Sequence, residues 1–150
     1  MRKAAGAVVV ILAAIGAAAH ALGAARDEHL RFPIQAALEK SQSYRTKIEY
    51  DVRLFFGKQK LPRVAKRMTT VSANTKSNAV GKPDQEACDI AFLSALADLQ
   101  QRARRAGGNA VVDIRSTYRG ENLDSPSDYV CGAGTIMVGV TLEGTVVRLE

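Results

Sequence analysis

Between Asp84 and Ala106, apolar residues recur at spacings of three and four: Ala87, Cys88, Ala91, Phe92, Ala95, Leu96, Leu99, Ala103 and Ala106. That period belongs to a helix with one apolar stripe, and such a stripe must be buried against another layer. Much of the stripe is alanine, so the helix is able to lie close to its partner. Asp84, after Pro83, is suited to cap the first free N–H groups. Arg102, Arg104 and Arg105 fall in the last turns, where positive charge complements the helix dipole. Gly107-Gly108 stops the helix.

The flanking segments read as sheet. Ile48, Tyr50, Val52, Leu54 and Phe56 alternate with mostly charged residues, which predicts a strand over 47–56 with one wet face. Gly57 to Pro62 reads as a turn, Val64 to Ser72 as the returning strand of a hairpin, and Ala73 to Pro83 as a polar loop. After the helix, Ala110 to Tyr118 predicts a strand with Ala110, Val112, Ile114 and Tyr118 on one face. Arg119 to Asp128 reads as a loop and Tyr129 to Leu142 as one long strand. Glu143-Gly144 reads as a turn, and Thr145 to Leu149 as a short last strand. Upstream, Pro33 to Lys40 predicts a short helix with Pro33 at its first position, closed by Ser41-Gln42-Ser43. The expected fold class is α/β of the α+β type: one long helix packed on a mainly antiparallel sheet, preceded by a signal peptide.

That leader rests on Met1-Arg2-Lys3, the uncharged stretch Ala4 to Ala19, and two small-residue cleavage sites, Ala19-His20-Ala21 and Gly23-Ala24-Ala25. Basic start, short apolar core and small residues form a secretory signal. A membrane span is the competing reading, but it needs about 20 strongly apolar residues. This segment is alanine-rich and broken by Gly16 and His20. Residues 1–25 are therefore expected to be cleaved and 26–150 to form one domain in the periplasm or outside the cell. Loss of Arg2 and Lys3 takes the formal charge from +6 to +4, weak grounds for a nucleic-acid partner.

An exported chain with an even cysteine count suggests a disulfide, here Cys88–Cys131; two unpaired thiols are the alternative. A helix from Cys88 to Ala106 rises about 27 Å. A strand from Ala110 to Tyr118 returns over a similar distance, about 27 Å, so Cys131 arrives near Cys88. Simple alternation, however, puts Cys131 on the face opposite Val138 and Val140. An irregularity is expected at Gly132 or Gly134, a β-bulge being the device that would correct the facing.

No catalytic motif emerges. Gly81-Lys82 is followed by Pro83 and lacks the P-loop glycine spacing. Past the leader the only histidine is His29, close to the start of the mature chain, which leaves triads and zinc sites without ligands. Asp84, Glu86 and Asp89 crowd the helix start, where capping and dipole compensation explain them better than a weak metal patch. Ser94 sits within the helix, as a surface or core-edge residue rather than a nucleophile. The cysteines are too far apart in sequence for a C-x-x-C redox pair. No cofactor is expected. Lys58, Lys60, Arg63, Lys66 and Arg67 make one basic cluster, and Arg102, Arg104 and Arg105 a second. Both read mainly as solvated faces, and a weak contact with nucleic acid or an anionic surface is the alternative.

"EACDIAFLSALADLQQRARRAGGNAVVDIRSTY" and "YVCGAGTIMVGVTL", with "FFGKQKLPRVAKRM" and "KSNAVGKPDQEAC" upstream, are similar to a family of small exported proteobacterial proteins often labelled excinuclease ATPase subunit. The Walker motifs and zinc-binding cysteines of a repair ATPase are not in this sequence. More distantly, the helix–"GGNAVV"–strand–strand pattern resembles the YbjQ-like fold and the periplasmic domain of the Rcs envelope-stress sensor lipoprotein. In the latter resemblance Cys131 matches a late-strand disulfide cysteine; the lipidated cysteine and second disulfide have no counterpart here. The YbjQ-like resemblance implies oligomerisation. The expected function is a non-enzymatic module that binds an envelope protein or surface. A small hydrolase or transferase with an unrecognised site is the alternative. A pocket of convergent polar residues near Asp113, Arg115 or Tyr118 would favour the enzyme, and a flat patch or free strand edge the module.

Overall fold

A computed structural model describes residues 25–150. The expected leader up to Ala24, with the first cleavage site Ala19-His20-Ala21 and all of the second but Ala25, lies outside the described residues. The fold is α+β, as expected. In chain order the elements are β1 (Glu28–Pro33), α1 (Ile34–Glu39), β2 (Arg53–Phe56), β3 (Val64–Asn78), α2 (Asp84–Arg105), β4 (Ala110–Ser116), a 3-10 turn (Tyr118–Gly120), β5 (Asp128–Ala133) and β6 (Met137–Leu149). The six strands form one mixed sheet in the order β1-β5-β6-β4-β2, with β3 on the other flank of β6. Every pairing is antiparallel except β2 with β4.

The helix α2 lies across β3 and β6. Its stripe is fully buried: Ala87, Ala91, Phe92, Ala95, Leu96 and Leu99 meet Val111, Ile114, Val138, Val140, Leu142 and Val146. Gly107, at φ +82°, takes the left-handed turn that ends the helix. Asp84 does not cap its own helix as the sequence suggested. It binds Arg26 through two oxygens, at 2.9 and 2.5 Å, and so ties the start of the described chain to the helix. A smaller cluster, Ala110, Val112, Val147 and Leu149, fills the opposite face of the sheet under Phe55, Leu61 and Val64.

Several sequence-based expectations are corrected. Residues 47–52 are not a strand; only Arg53–Phe56 is. Gln100 of α2 is the cause, because its side chain satisfies that backbone. Its Oε1 accepts from Glu49 N at 3.0 Å, and its Nε2 donates to Glu49 O at 2.6 Å and Val52 O at 2.8 Å. There is no hairpin between β2 and β3. β2 pairs with β4 (Arg53↔Ala110), and β3 pairs with β6 from Val64↔Leu149 to Asn78↔Met137. The polar residues 73–78 are strand rather than loop, as suits a strand at the sheet margin.

The stretch 129–142 is two strands, not one. β5 and β6 turn at Gly134-Thr135-Ile136 and pair Ala133↔Val138 and Gly132↔Gly139. The expected irregularity is present, but as a hairpin rather than a bulge. Folding back brings Cys131, Ala133, Val138 and Val140 into one core. Glu143-Gly144 is strand interior, where a β-carbon at Gly144 would stand 2.6 Å from Val111 Cγ1. In β4 the facing switches at Asp113, whose φ is +54°, and the register shifts between Val112 and Arg115. Ala110 and Val112 therefore face away from Ile114, and Tyr118 lies beyond the strand.

Candidate functional site

The sheet face away from α2 carries a row that crosses four strands. Lys76 of β3 stands opposite Gly139 of β6, Gly139 opposite Gly132 of β5, and Gly132 opposite His29 of β1. Two glycines side by side make a trough, and the ring of Tyr118 lies in it. A β-carbon on Gly132 would fall 2.0 Å from Tyr118 Cζ, and one on Gly139 would fall 3.1 Å from Cε2. Glycine is needed here for close approach, not for backbone freedom. His29 meets the Tyr118 ring edge-on, with centroids 5.2 Å apart. It also holds Glu121 by its Nδ1 at 2.7 Å, so it sits in a paired strand rather than on a loose terminus. Arg119 follows at φ +44°, with its guanidinium 5.4 Å from the same ring.

A hollow of about 380 Å³ opens beside the trough, lined by Arg26, Asp27, Lys76, Tyr118, Arg119 and Gly139 among others. Its arginines are already engaged. Arg26 is bound by Asp84 and Glu28, whose carboxyls its guanidinium holds below their usual range. Arg119 donates to Asp27 Oδ2 at 2.5 Å. No nucleophile paired with a base lines it. Asp113 and Arg115, the other residues flagged beside Tyr118, are spent on Arg67 and Glu143 respectively.

A second concavity, about 410 Å³, lies between α1, residues 48–52 and β2. Leu38, Ile48, Leu54 and Phe55 line it, and Tyr50 stands at its rim 96 % exposed.

The disulfide joins α2 to β5. Cys88 and Cys131 have Cα atoms 5.9 Å apart, and both residues are buried in the core. Burial keeps an attacking thiolate from reaching these sulfurs in the folded chain, which fits a structural bridge. One position along, Asp89 is completely buried. Its Oδ1 accepts from the Tyr129 hydroxyl at 2.6 Å, while Oδ2 has no hydrogen-bond partner and lies 3.9 Å from Lys40 Nζ. Burial pushes the Asp89 carboxyl above its usual range and the Tyr129 hydroxyl well above its own. Ser94 donates to Ile90 O within its own helix, as a core-edge serine does. Among the described residues no cluster of three metal-binding side chains occurs, and no helix is long and apolar enough to cross a membrane.

Most of the two basic clusters is neutralised locally. Lys58 pairs with Asp124, Arg63 with Glu150, Arg67 with Asp113, Arg102 with Asp98 and Arg104 with Asp51. Lys60, Lys66 and Arg105 are exposed and form no ion pair among the described residues. What the sequence reading missed is Lys76 and the part of β3 that carries it, Ala73 to Asn78. Among the described residues β3 pairs only with β6, so its outer edge is free over its whole length. Alternation at Val71, Ala73, Thr75 and Ser77, half-buried or buried, was the available signal; the polar character of 73–83 masked it. No family model and no curated protein matches this chain.

Proposed function

We propose that the domain is a non-enzymatic binding module that works outside the cytoplasm, in the periplasm or secreted, and engages a protein partner along the free edge of β3. The carrying observation is that edge: a strand of 15 residues with one side unpaired among the described residues. Unpaired N–H and C=O groups in a row are a template for another chain, and monomeric proteins generally cover or blunt them. The buried disulfide supports an oxidising compartment, as does the leader sequence. Against an enzyme stand the engaged arginines around Tyr118 and the spent side chains of Asp113 and Arg115.

The test is affinity capture from envelope extract with the wild-type protein, Lys66→Glu/Lys76→Glu on the edge strand, and Arg105→Glu at the end of α2. The reading expects the edge variant to lose a partner that the wild type and Arg105→Glu retain. Equal capture by all three, or capture of nothing, overturns it.

A further inference from the structure

The reading of the domain as a binding module leaves the chemistry of its partner open, and the inference drawn here rests on that reading. We propose that the occupant of the β3 edge is an extended, acidic segment of a partner protein, added as a further strand along Thr70–Asn78.

Regularity selects this half of the strand. Toward its start β3 is irregular twice, between Val64 and Lys66 and between Arg67 and Thr70. Each shift disturbs the spacing of the outward backbone groups, which blunts an edge. From Thr70↔Thr145 to Asn78↔Met137 the register then runs unbroken. Only a regular edge offers donors and acceptors at the repeat that an added strand requires. The platform is also rigid. Ala73 is buried in the core with Val71 packed against it, and Thr75 Oγ1 donates to Ala91 O of α2 at 2.5 Å.

Charge selects the occupant. No acidic residue occurs between Asp51 and Asp84. Of the eight Lys or Arg in that interval Lys58, Arg63 and Arg67 are paired with acids from elsewhere, and Lys76 is the one charge on the regular half of the edge. On the outer face of the regular edge stand Ser72, Asn74, Lys76 and Asn78, all exposed. Lys76 has no ion pair among the described residues and borders the Tyr118 trough. A carboxylate directly opposite it on a new strand would make a favourable cross-strand pair. A second copy of this segment carries no carboxylate to set opposite Lys76. Main-chain hydrogen bonds would supply affinity, and the carboxylates would choose the partner.

The probe is a fluorescent peptide of alternating valine and glutamate, titrated into protein expressed from the full sequence and kept oxidised. A valine–lysine peptide and a fully N-methylated valine–glutamate peptide are its controls. The expected result is saturable binding of the first, at least tenfold weaker binding of both controls, and slowed hydrogen exchange at Thr70–Asn78. Lys76→Glu should weaken the glutamate peptide and strengthen the lysine one. Equal binding of the N-methylated peptide, or no binding of any peptide, overturns strand addition by an acidic segment. So does a dimer that the peptide dissolves, because a second copy would then be the occupant. If peptides fail while Lys66→Glu/Lys76→Glu still loses its captured partner, this inference falls and the binding-module reading stands.

Discussion

The Tyr129 hydroxyl donates to Asp89 Oδ1 one residue along α2 from Cys88 and two along β5 from Cys131. A covalent and a polar link thus join the same two elements side by side. Phe92 stacks on Tyr129 with centroids 4.0 Å apart, and Phe32 and Phe56 extend the aromatic line on either side. The start of α2 is held to β5 by a disulfide, a hydrogen bond and an aromatic stack.

Asp89→Asn should gain stability relative to the wild type as pH rises. Burial raises the Asp89 pKa in the folded state, so between the unfolded and folded pKa values the native state binds more protons. Stability therefore falls as pH rises through that window and stays lowered above it. Asparagine keeps an acceptor for Tyr129 without the charge. The gain, read from urea midpoints, should be largest above the folded pKa and shrink as pH falls toward the unfolded value.

Tyr129→Phe should cost about 1–3 kcal/mol, because it strips the buried carboxylate of its only hydrogen-bond donor. Combining it with Asp89→Leu should recover part of the loss, since the buried carboxyl left without a hydrogen-bond donor goes too. Chemical denaturation of the two single variants and the double variant completes the cycle.

Cys88→Ala/Cys131→Ala should lose about 4 kcal/mol, the chain-entropy value for a loop closed across 43 residues. In the unmodified protein a reductant should open the bridge, and an alkylating probe trap the two thiols so formed, only at the rate of unfolding. Trapping faster than unfolding would overturn the structural assignment of the bridge.

Gly132→Ala should destabilise by about 1–3 kcal/mol, because its methyl collides with the Tyr118 ring and the strand has no slack. Tyr118→Ala should cost less on its own and should rescue Gly132→Ala when combined with it. Thermal unfolding of the four proteins checks this. Additive losses would mean that the ring does not depend on the trough.

The helix was legible to within a residue or so because one periodic stripe, one proline and two glycines fixed it. Ala110–Ser116 was legible as a strand from its apolar run, but the switch of facing at Asp113 and the early end before Tyr118 were not. The hairpin of β5 and β6 was hidden by its turn: Gly134-Thr135-Ile136 carries no Asn-Gly or Asp-Gly, and Ile136, 65 % exposed, looks like strand interior. The segment 47–52 misled in the other direction. Its alternation is real, but the buried Gln100 takes its backbone hydrogen bonds, a long-range substitution that no local pattern records. Gly144 read as a turn because a glycine demanded by a neighbouring valine looks identical, in sequence, to one demanded by a bend. The trough under Tyr118 joins residues from three separate segments and became visible only when they met.

The position of β6 has a kinetic consequence. It is the last strand of the described chain and pairs with β3, β4 and β5. Synthesis and folding are therefore out of step: the strand that organises the sheet is delivered after all those it must organise. Until it arrives β3 has two open sides instead of one, and the pairing that closes it runs from Val64↔Leu149 to Asn78↔Met137, across the whole of α2, β4 and β5. Such long-range closure is slow and leaves a nascent chain exposed to misassembly. The lysines and arginines along β3 then matter before the native state exists, as charges that keep unfinished copies apart.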